Sequence, residues 1–380
     1  MSMNRRRFLA NTGFVAAGMS MSGLMGGTGT SRAQQRKGPL DYIIVQGHYD
    51  IWEFNDRLAL RRSEHNSPLR DHILPRLLEA GVNVVIMPAG GDSVDQRGGS
   101  EQLLAGSMRT TDMLHVEIEK TNGRASIIKS KKDLPEIPDP NHVKFFLDFE
   151  GGQSIAIDPQ PEYHPDRRLA LLRNFFRLGV RGLQLTHHSR NQLGDGWREG
   201  DPGNKLSRFG VEVVEEMNRL GMMVGVSHLS ANGIYHAAEV STKPIVSTHQ
   251  NPRKFIDTPL QLSDDEIKAI ASTGGIAGVR YHSSSLTPYD RLVDMIEYIA
   301  DLVGIEHTGF AWLGHDEGHP RTGYVPGVSE GPAPDGIEGM SKYEQFSRFI
   351  ELLDERFTQD EIALIMGGNF LRIWKDILPD

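Results

Sequence analysis

Short apolar runs alternate with segments of helical periodicity along most of the chain. The runs are rich in β-branched residues, as buried strands are, and they occupy residues 42–45, 82–87, 143–149, 182–186, 222–227, 244–248, 275–280 and 308–313. Helical patterns follow at residues 68–80, 166–178, 208–220, 264–272, 289–303, 342–356 and 359–377. Alternating strands and helices predict a parallel sheet. Eight strands predict an α/β fold of the (β/α)8 TIM barrel type.

One long segment falls outside this alternation. Residues 89–136 are polar and irregular, with an extra strand predicted at 125–128. We interpret this segment as an elaboration that follows the second strand of the barrel. No Pro- or Ser-rich linker and no internal repeat interrupts the remainder. We therefore predict a single barrel domain over residues 34–380.

The N-terminal residues have the order of an export signal. A basic stretch around Arg5 and Arg6 precedes an uncharged stretch rich in Ala, Gly and Met, and Ser31-Arg32-Ala33 offers a small-x-small cleavage pattern. The run Arg-Arg-x-Phe-Leu matches the twin-arginine signal. The apolar stretch is too short and too Gly-rich for a membrane span. We predict a twin-arginine signal peptide over residues 1–33, a periplasmic or otherwise exported protein, and no integral membrane span after the signal is removed.

Composition narrows the chemistry that the barrel could carry. The 380 residues contain no cysteine, which excludes disulfides, thiolate metal sites and a cysteine nucleophile. The net charge of −9 argues against a nucleic-acid partner, because such partners require a basic face. Histidine is plentiful, with 15 residues, so a metal site would be built from imidazole and carboxylate.

Polar residues follow nearly every predicted strand, at the end where barrel enzymes place their chemistry. In chain order they are His48, Asp50, Glu150, His187, His228, His249, Arg280, His282 and Asp316. A lone histidine is more often structural than a ligand. Such residues at successive strand ends predict a functional site.

These residue types suit a pair of divalent metals. His48 and Asp50 lie two positions apart and share a strand face, so they could both coordinate one metal. His228 and His249 form a second pair of ligands, and Glu150 could offer one oxygen to each metal. The donor set favours zinc, with manganese and cobalt as alternatives. Two metals about 3.5–4 Å apart would share a bridging hydroxide.

The expected reaction is hydrolysis of an amide, an ester or a phosphoester. Asp316 is the candidate proton carrier for the leaving group, and His187 is the candidate for holding the developing oxyanion. The chain has no phosphate-binding loop and no Gly-x-Ser-x-Gly elbow. A metal-dependent hydrolase is therefore the leading hypothesis.

Blocks along nearly the whole chain resemble the membrane (renal) dipeptidase family of zinc metallopeptidases. The matching blocks are Gly47-His48-Tyr49-Asp50, Glu150-Gly151-Gly152, Leu185-Thr186-His187, Val226-Ser227-His228, Ser247-Thr248-His249 and Gly367-Gly368-Asn369-Phe370. The resemblance implies a (β/α)8 barrel that hydrolyses dipeptides, often with a D residue at the C-terminal position. It implies one zinc on His48 and Asp50, a second on His228 and His249, Glu150 bridging them, and His187 near the scissile carbonyl.

Three departures from the family pattern affect the substrate side of the site. Gly225 stands where the family usually has an aspartate, and residues 258–261 lack the arginine that grips the substrate carboxylate. Arg280, together with His282, could bind the substrate carboxylate instead. The alternative is that Arg280 forms an ion pair unrelated to substrate. After the eighth strand, either Asp316 or His315 could fill the catalytic place.

The leading prediction is thus an exported dipeptidase that holds two divalent metals and acts on small dipeptide-like molecules. A relative that acts on another small amide, such as an N-acyl amino acid or a lactam, is the first alternative. A non-catalytic binding relative is the second, although a binder would not need five metal ligands. The sequence leaves a homodimer open.

Overall fold

The computed structural model describes residues 38–49, 67–92, 100–156, 165–282, 289–313 and 343–380. Residues 1–37, with the predicted signal peptide, lie outside the described residues, as do Asp50, His315 and Asp316.

Within the described ranges, eight parallel strands form one sheet in chain order, confirming the predicted (β/α)8 barrel. These strands are β1 (Ile44–Gln46), β2 (Val82–Gly91), β4 (Val143–Glu150), β5 (Gly182–Gln184), β6 (Met223–Gly225), β7 (Ile245–Ser247), β8 (Ile276–His282) and β9 (Thr308–Leu313). The extra strand β3 (Ala125–Ile127) pairs with β4 outside this path. The end of β1 returns close to β9, because a Cβ on Gly47 would lie 2.7 Å from the Phe310 carbonyl oxygen.

Helices follow most strands and cover the outside of the barrel. They are α1 (Leu74–Glu79), α2 (Ser100–Glu119), α3 (Pro165–Arg168), α4 (Ala170–Arg177), α5 (Arg208–Leu220), α6 (Ala231–Val240), α7 (Asp264–Ser272), α8 (Tyr289–Val303), α9 (Tyr343–Asp354), α10 (Gln359–Ala363) and α11 (Asn369–Ile377). Serine caps fix where three of them begin, since Ser207, Ser230 and Ser263 accept hydrogen bonds from the first turns of α5, α6 and α7. No helix among the described residues has the length and apolar composition of a membrane span.

The interpretation of residues 89–136 as irregular was wrong, because α2 occupies much of this segment. Its buried face includes small polar residues rather than a continuous apolar stripe. Ser107 accepts a hydrogen bond from the Gly91 N–H, and Thr111 donates one to the Ala89 carbonyl. Residues that bond to the end of β2 thus occupy helix positions where apolar residues are expected. The helix therefore lacks the apolar periodicity by which helices are recognised in a sequence.

The barrel interior has an apolar layer toward the amino ends of the strands and polar side chains toward the carboxyl ends. Along β4, Phe146, Asp148 and Glu150 share one face, because strand side chains alternate. Phe146 stacks on Trp374 of α11 with ring centroids 4.6 Å apart, which seals the apolar end. Above it lies a buried polar layer, formed by Asp148, Gln184, Ser227 and Thr248. Glu150 and the candidate metal ligands follow at the carboxyl end.

Candidate metal centre

Four histidines converge on the Glu150 carboxylate at the carboxyl end of the barrel. Oxygen Oε1 of Glu150 lies 3.2 Å from His228 Nε2, 3.6 Å from His249 Nε2 and 3.7 Å from His48 Nε2. Oxygen Oε2 lies 3.6 Å from His187 Nε2. The structure therefore brings together five of the residues that the sequence singled out.

Two overlapping groups of three donors share Glu150. One consists of His48, Glu150 and His249, and the other of Glu150, His187 and His228; the donor atoms within each group lie within 4.8 Å of one another. The sequence hypothesis paired His228 with His249 and assigned His187 to the substrate. Here His48 stacks on His249, with ring centroids 4.1 Å apart, and His187 lies close to Glu150. Asp50, the proposed partner of His48, lies outside the described residues.

The electrostatics suit a cation in this place. Burial opposes ionisation of Glu150, but the neighbouring imidazoles of His187 and His48 and the hydrogen bond from His228 outweigh it and hold the pKa of Glu150 well below its usual range. Burial lowers the pKa of His48 and His249, and it lowers that of His228 to about 4. These imidazoles are therefore neutral at pH 7, which is the state that binds a metal.

The contact between His228 and His249 also fits a divalent metal. Their Nε2 atoms lie 2.8 Å apart in the buried centre. Two neutral imidazoles whose Nε2 lone pairs face each other repel unless a proton or a cation lies between them. A carboxylate surrounded by neutral imidazoles is a donor set that suits zinc and related divalent metals.

The lowered pKa of His228 predicts that the metal-free protein loses stability in acid. Its pKa falls from an ordinary 6.5 to about 4, so between these values the unfolded chain binds more protons than the folded one. This contribution to stability is fully present above pH 6.5 and is lost as the pH falls toward 4. We expect the Tm of chelator-treated protein, measured by circular dichroism, to fall as the pH is lowered from 6.5 to 4. The Tm of the His228→Asn variant, in which asparagine tolerates the same backbone conformation, should fall less steeply. Equal slopes of Tm against pH would contradict this explanation.

Trp197 ties the chain segments that carry His187 and His228, and sequence reasoning missed it. Its backbone N–H donates to the His228 carbonyl at 2.9 Å, and its indole N–H donates to His188 Nδ1 at 3.0 Å. The His188 ring stacks on His187, with centroids 3.7 Å apart. Burial lowers the pKa of His188 to about 2, so it stays neutral.

His228 occupies a backbone conformation that side chains rarely adopt, with φ of 66°. Such a residue costs about 1–3 kcal/mol and persists only where its surroundings impose it. The hydrogen bond from Trp197 to the His228 carbonyl is one such constraint. The only sequence signal for this arrangement was the doubled His187-His188, which did not indicate the indole.

Asp92 is a second buried group that sequence reasoning missed. It accepts hydrogen bonds from the Gln153 N–H at 2.7 Å and from Asn191 Nδ2 at 3.3 Å, and it therefore joins the segments after β2, β4 and β5. Burial raises its pKa to about 6. The second predicted strand was the one strand to which no polar end residue was assigned. Asp92 lies just past that strand, and this position could have identified it.

Arg280 lies on β8, where its charge reaches the metal centre. Its positive charge is among the causes that lower the pKa of His48, His228 and His249. Its backbone N–H donates to Asn251 Oδ1 at 2.7 Å. His282 ends the same strand two positions later, although its side chain is outside the described part.

Arg253, the other arginine near this part of the sequence, is engaged elsewhere. Its guanidinium donates to Asp201 Oδ2 at 2.6 Å and to the Gln261 carbonyl at 3.3 Å. An arginine held in an ion pair and a backbone hydrogen bond is a poor candidate for the substrate carboxylate. Arg280 is the candidate that we retain for that role, because its charge reaches the histidines of the metal centre.

Comparison with known proteins agrees with this geometry. The sequence model of the membrane dipeptidase family, peptidase family M19, matches residues 39–378. An uncharacterized dipeptidase of Schizosaccharomyces pombe is 32% identical over 243 residues, covering 62% of this chain and 53% of its own length. The dipeptidase verJ of Clonostachys rogersoniana is 27% identical over 279 residues, covering 72% of this chain and 66% of its own. The chain thus spans between half and two thirds of the length of these relatives.

Solved structures share the fold. An amidohydrolase from Pseudomonas aeruginosa superposes with a TM-score of 0.71 at 20% identity, covering 90% of this chain and 99% of its own. A metallopeptidase from Rhodobacter sphaeroides, bound to a phosphinate mimic of the dipeptide L-Ala-D-Ala, superposes with a TM-score of 0.69 at 18% identity, covering 89% of this chain and 100% of its own. At these identities the likeness shows the barrel alone.

Proposed function

Because the chain belongs to the membrane dipeptidase family, we propose that it hydrolyses the peptide bond of dipeptides at a centre of two divalent metals, with zinc as the metal. The observation that carries the proposal is the buried Glu150 carboxylate, whose Oε1 lies within 3.7 Å of the Nε2 atoms of His48, His228 and His249. Its second oxygen, Oε2, leaves the same carboxylate able to be shared between two metals. Membership of this family also favours a hydrolase over a non-catalytic binding relative.

Each side chain has a distinct part in the proposed reaction. When bound, the metals supply an activated water and polarise the scissile carbonyl. Glu150, His48, His228 and His249 hold them, with Asp50 as a fifth ligand. His187, largely buried beside Glu150, donates a hydrogen bond to the carbonyl oxygen, which becomes negative as water adds to the carbonyl carbon. Asp316 carries a proton to the leaving amine.

The substrate carboxylate is proposed to bind Arg280. The Rhodobacter sphaeroides neighbour is bound to a phosphinate mimic of L-Ala-D-Ala, and we propose that this chain accepts dipeptides with a D residue at the C-terminal position. The absence of arginine from residues 258–261 favours a second candidate, hydrolysis of a small amide such as an N-acyl amino acid or a lactam.

A substrate panel tests the proposed function. Zinc-loaded protein is offered L-L dipeptides, L-D dipeptides, N-acyl amino acids and lactams, and the released amine is measured. Hydrolysis of dipeptides, with L-D at least equal to L-L, is the expected result. Cleavage of N-acyl amino acids or lactams without dipeptides would favour the second candidate, and cleavage of none of these classes would contradict both.

We also propose that the protein is exported by the twin-arginine route. Replacing Arg5 and Arg6 together with Lys should retain it in the cytoplasm, because the receptor reads the guanidinium pair. Fractionation of cells with immunoblotting measures the result. The matched control is Arg32→Lys, which makes the same charge-conserving exchange away from the pair and should leave export intact. A double variant that is still exported would refute this route.

A further inference from the structure

We propose that the buried polar layer beneath the metal centre positions His249, by holding a proton on its Nδ1 so that Nε2 presents a lone pair to a metal. The inference rests on the proposed metal centre. It adds to the site a set of positioning residues that would touch neither the metals nor the substrate. They are Asp148, Gln184, Ser227 and Thr248.

The orientation of the Gln184 amide is set by its partners. The Ser227 backbone N–H can only donate, and it lies 3.1 Å from Gln184 Oε1. The amide nitrogen therefore points the other way, where it donates to Asp148 Oδ2 at 2.9 Å and to Thr248 Oγ1 at 3.2 Å. One lone pair of the Thr248 hydroxyl is thus occupied from below.

A second anchor lies on the far side of the layer. The Leu260 carbonyl can only accept, and Gln250 Nε2 donates to it, so Gln250 Oε1 faces Ser247. Ser247 must then donate its hydroxyl proton to Gln250, at 2.8 Å. Its oxygen remains as an acceptor for the Ser227 hydroxyl, 3.4 Å away.

These two anchors leave the Ser227 hydroxyl two acceptors, Ser247 Oγ at 3.4 Å and Thr248 Oγ1 at 3.2 Å. We assign its proton to Ser247, so that its own oxygen accepts from the Thr248 backbone N–H at 2.9 Å and from the Thr248 hydroxyl. With its proton committed to Ser227, the Thr248 oxygen accepts from His249 Nδ1, 2.7 Å away. His249 therefore carries its proton on Nδ1, and Nε2 faces Glu150 Oε1 at 3.6 Å.

Gly225 makes room for this arrangement. A Cβ at this position would lie 2.5 Å from Gln184 Oε1, so a larger residue would displace the amide. Gly225 is also one of the departures from the family pattern that the sequence shows. The arrangement is specific to His249, because Nδ1 of His48 and Nδ1 of His228 have no hydrogen-bond partner within the described residues.

The direct test is the tautomer of His249 in the full chain after chelation. Proton–nitrogen NMR of 15N-histidine protein, with His249 assigned by comparison with His249→Gln, should show the Nδ1–H form. Finding the Nε2–H form would overturn the proposal. This measurement needs no variant in the polar layer, so it decides the question even where such a variant fails to fold. Because it is made without metal, it is independent of the proposed function.

Thr248→Val tests the consequence for metal binding. It keeps the shape and removes the acceptor, so zinc affinity measured against a competing chelator should fall about 10–100-fold, as for other lost outer-shell partners. Thr248→Ser should restore it. The matched control is Thr186→Val, another buried threonine, whose hydroxyl has no partner within the described ranges. Wild-type affinity in Thr248→Val, or an equal loss in the control, would overturn the proposal. A wild-type chain that binds no zinc would instead refute the proposed metal centre.

Discussion

Glu150→Gln should abolish both metal binding and hydrolysis. The carboxylate lies within 3.7 Å of nitrogens from four histidines, so its two oxygens are shared by both donor groups. An amide keeps the size but loses the charge and one acceptor oxygen. Losing an outer-shell partner already costs 10–100-fold in metal affinity, so we expect a loss of at least about a hundredfold here. Metal content after dialysis and dipeptide hydrolysis measure the two effects.

The control for this prediction is the same substitution on the surface. Glu355 is exposed between α9 and α10. Glu355→Gln should therefore keep wild-type metal content and activity. If Glu150→Gln retained both metals, Glu150 would not be the shared ligand, and the proposed centre would have to be built on other residues.

Arg280→Lys should impair binding of substrates that end in a free carboxylate. Guanidinium binds a carboxylate through two parallel hydrogen bonds, which lysine cannot reproduce. We expect the KM for dipeptides to rise about tenfold or more, equivalent to a loss of about 1.4 kcal/mol. Substrates with an amidated C-terminus should already be poor and should change little. Initial rates over both substrate kinds measure the difference.

Arg253→Lys is the matched control, because the Arg253 guanidinium is held in an ion pair by Asp201. It should leave the KM of both substrate kinds unchanged. If Arg280→Lys affected free and amidated substrates equally, Arg280 would have a structural role. An uncharged amide would then become the preferred substrate class.

Much of the fold and of the site could be predicted from sequence because both depend on strand ends. The alternation of strands and helices predicted the barrel, and barrel strands bring their carboxyl ends to one face. His48, Glu150, His228 and His249 lie more than two hundred positions apart at the extremes, yet this rule alone placed them together. The membrane dipeptidase assignment rested on the same blocks and is confirmed by the family match.

The buried polar layer and the contacts of Trp197 could not be predicted, because they depend on side chains that meet only in the folded barrel. Gln184 and Thr248 are separated by 64 positions, and nothing in either strand marks them as partners. The hydrogen bond from Trp197 to His188 likewise depends on how one loop turns back over the site. Helix α2 was missed for a different reason, since it buries hydroxyl groups that bond to β2 in place of apolar side chains.

Metal titration of activity shows whether hydrolysis requires two metals at the shared Glu150 carboxylate. Metal-free protein of known concentration is given zinc in steps, and hydrolysis of an L-D dipeptide is measured at each step. Two metals held by one shared carboxylate predict that activity rises until about two zinc ions are bound per chain and then stays constant. Activity that saturates at one zinc per chain, or that does not depend on zinc, would rule out a hydrolytic centre of two metals.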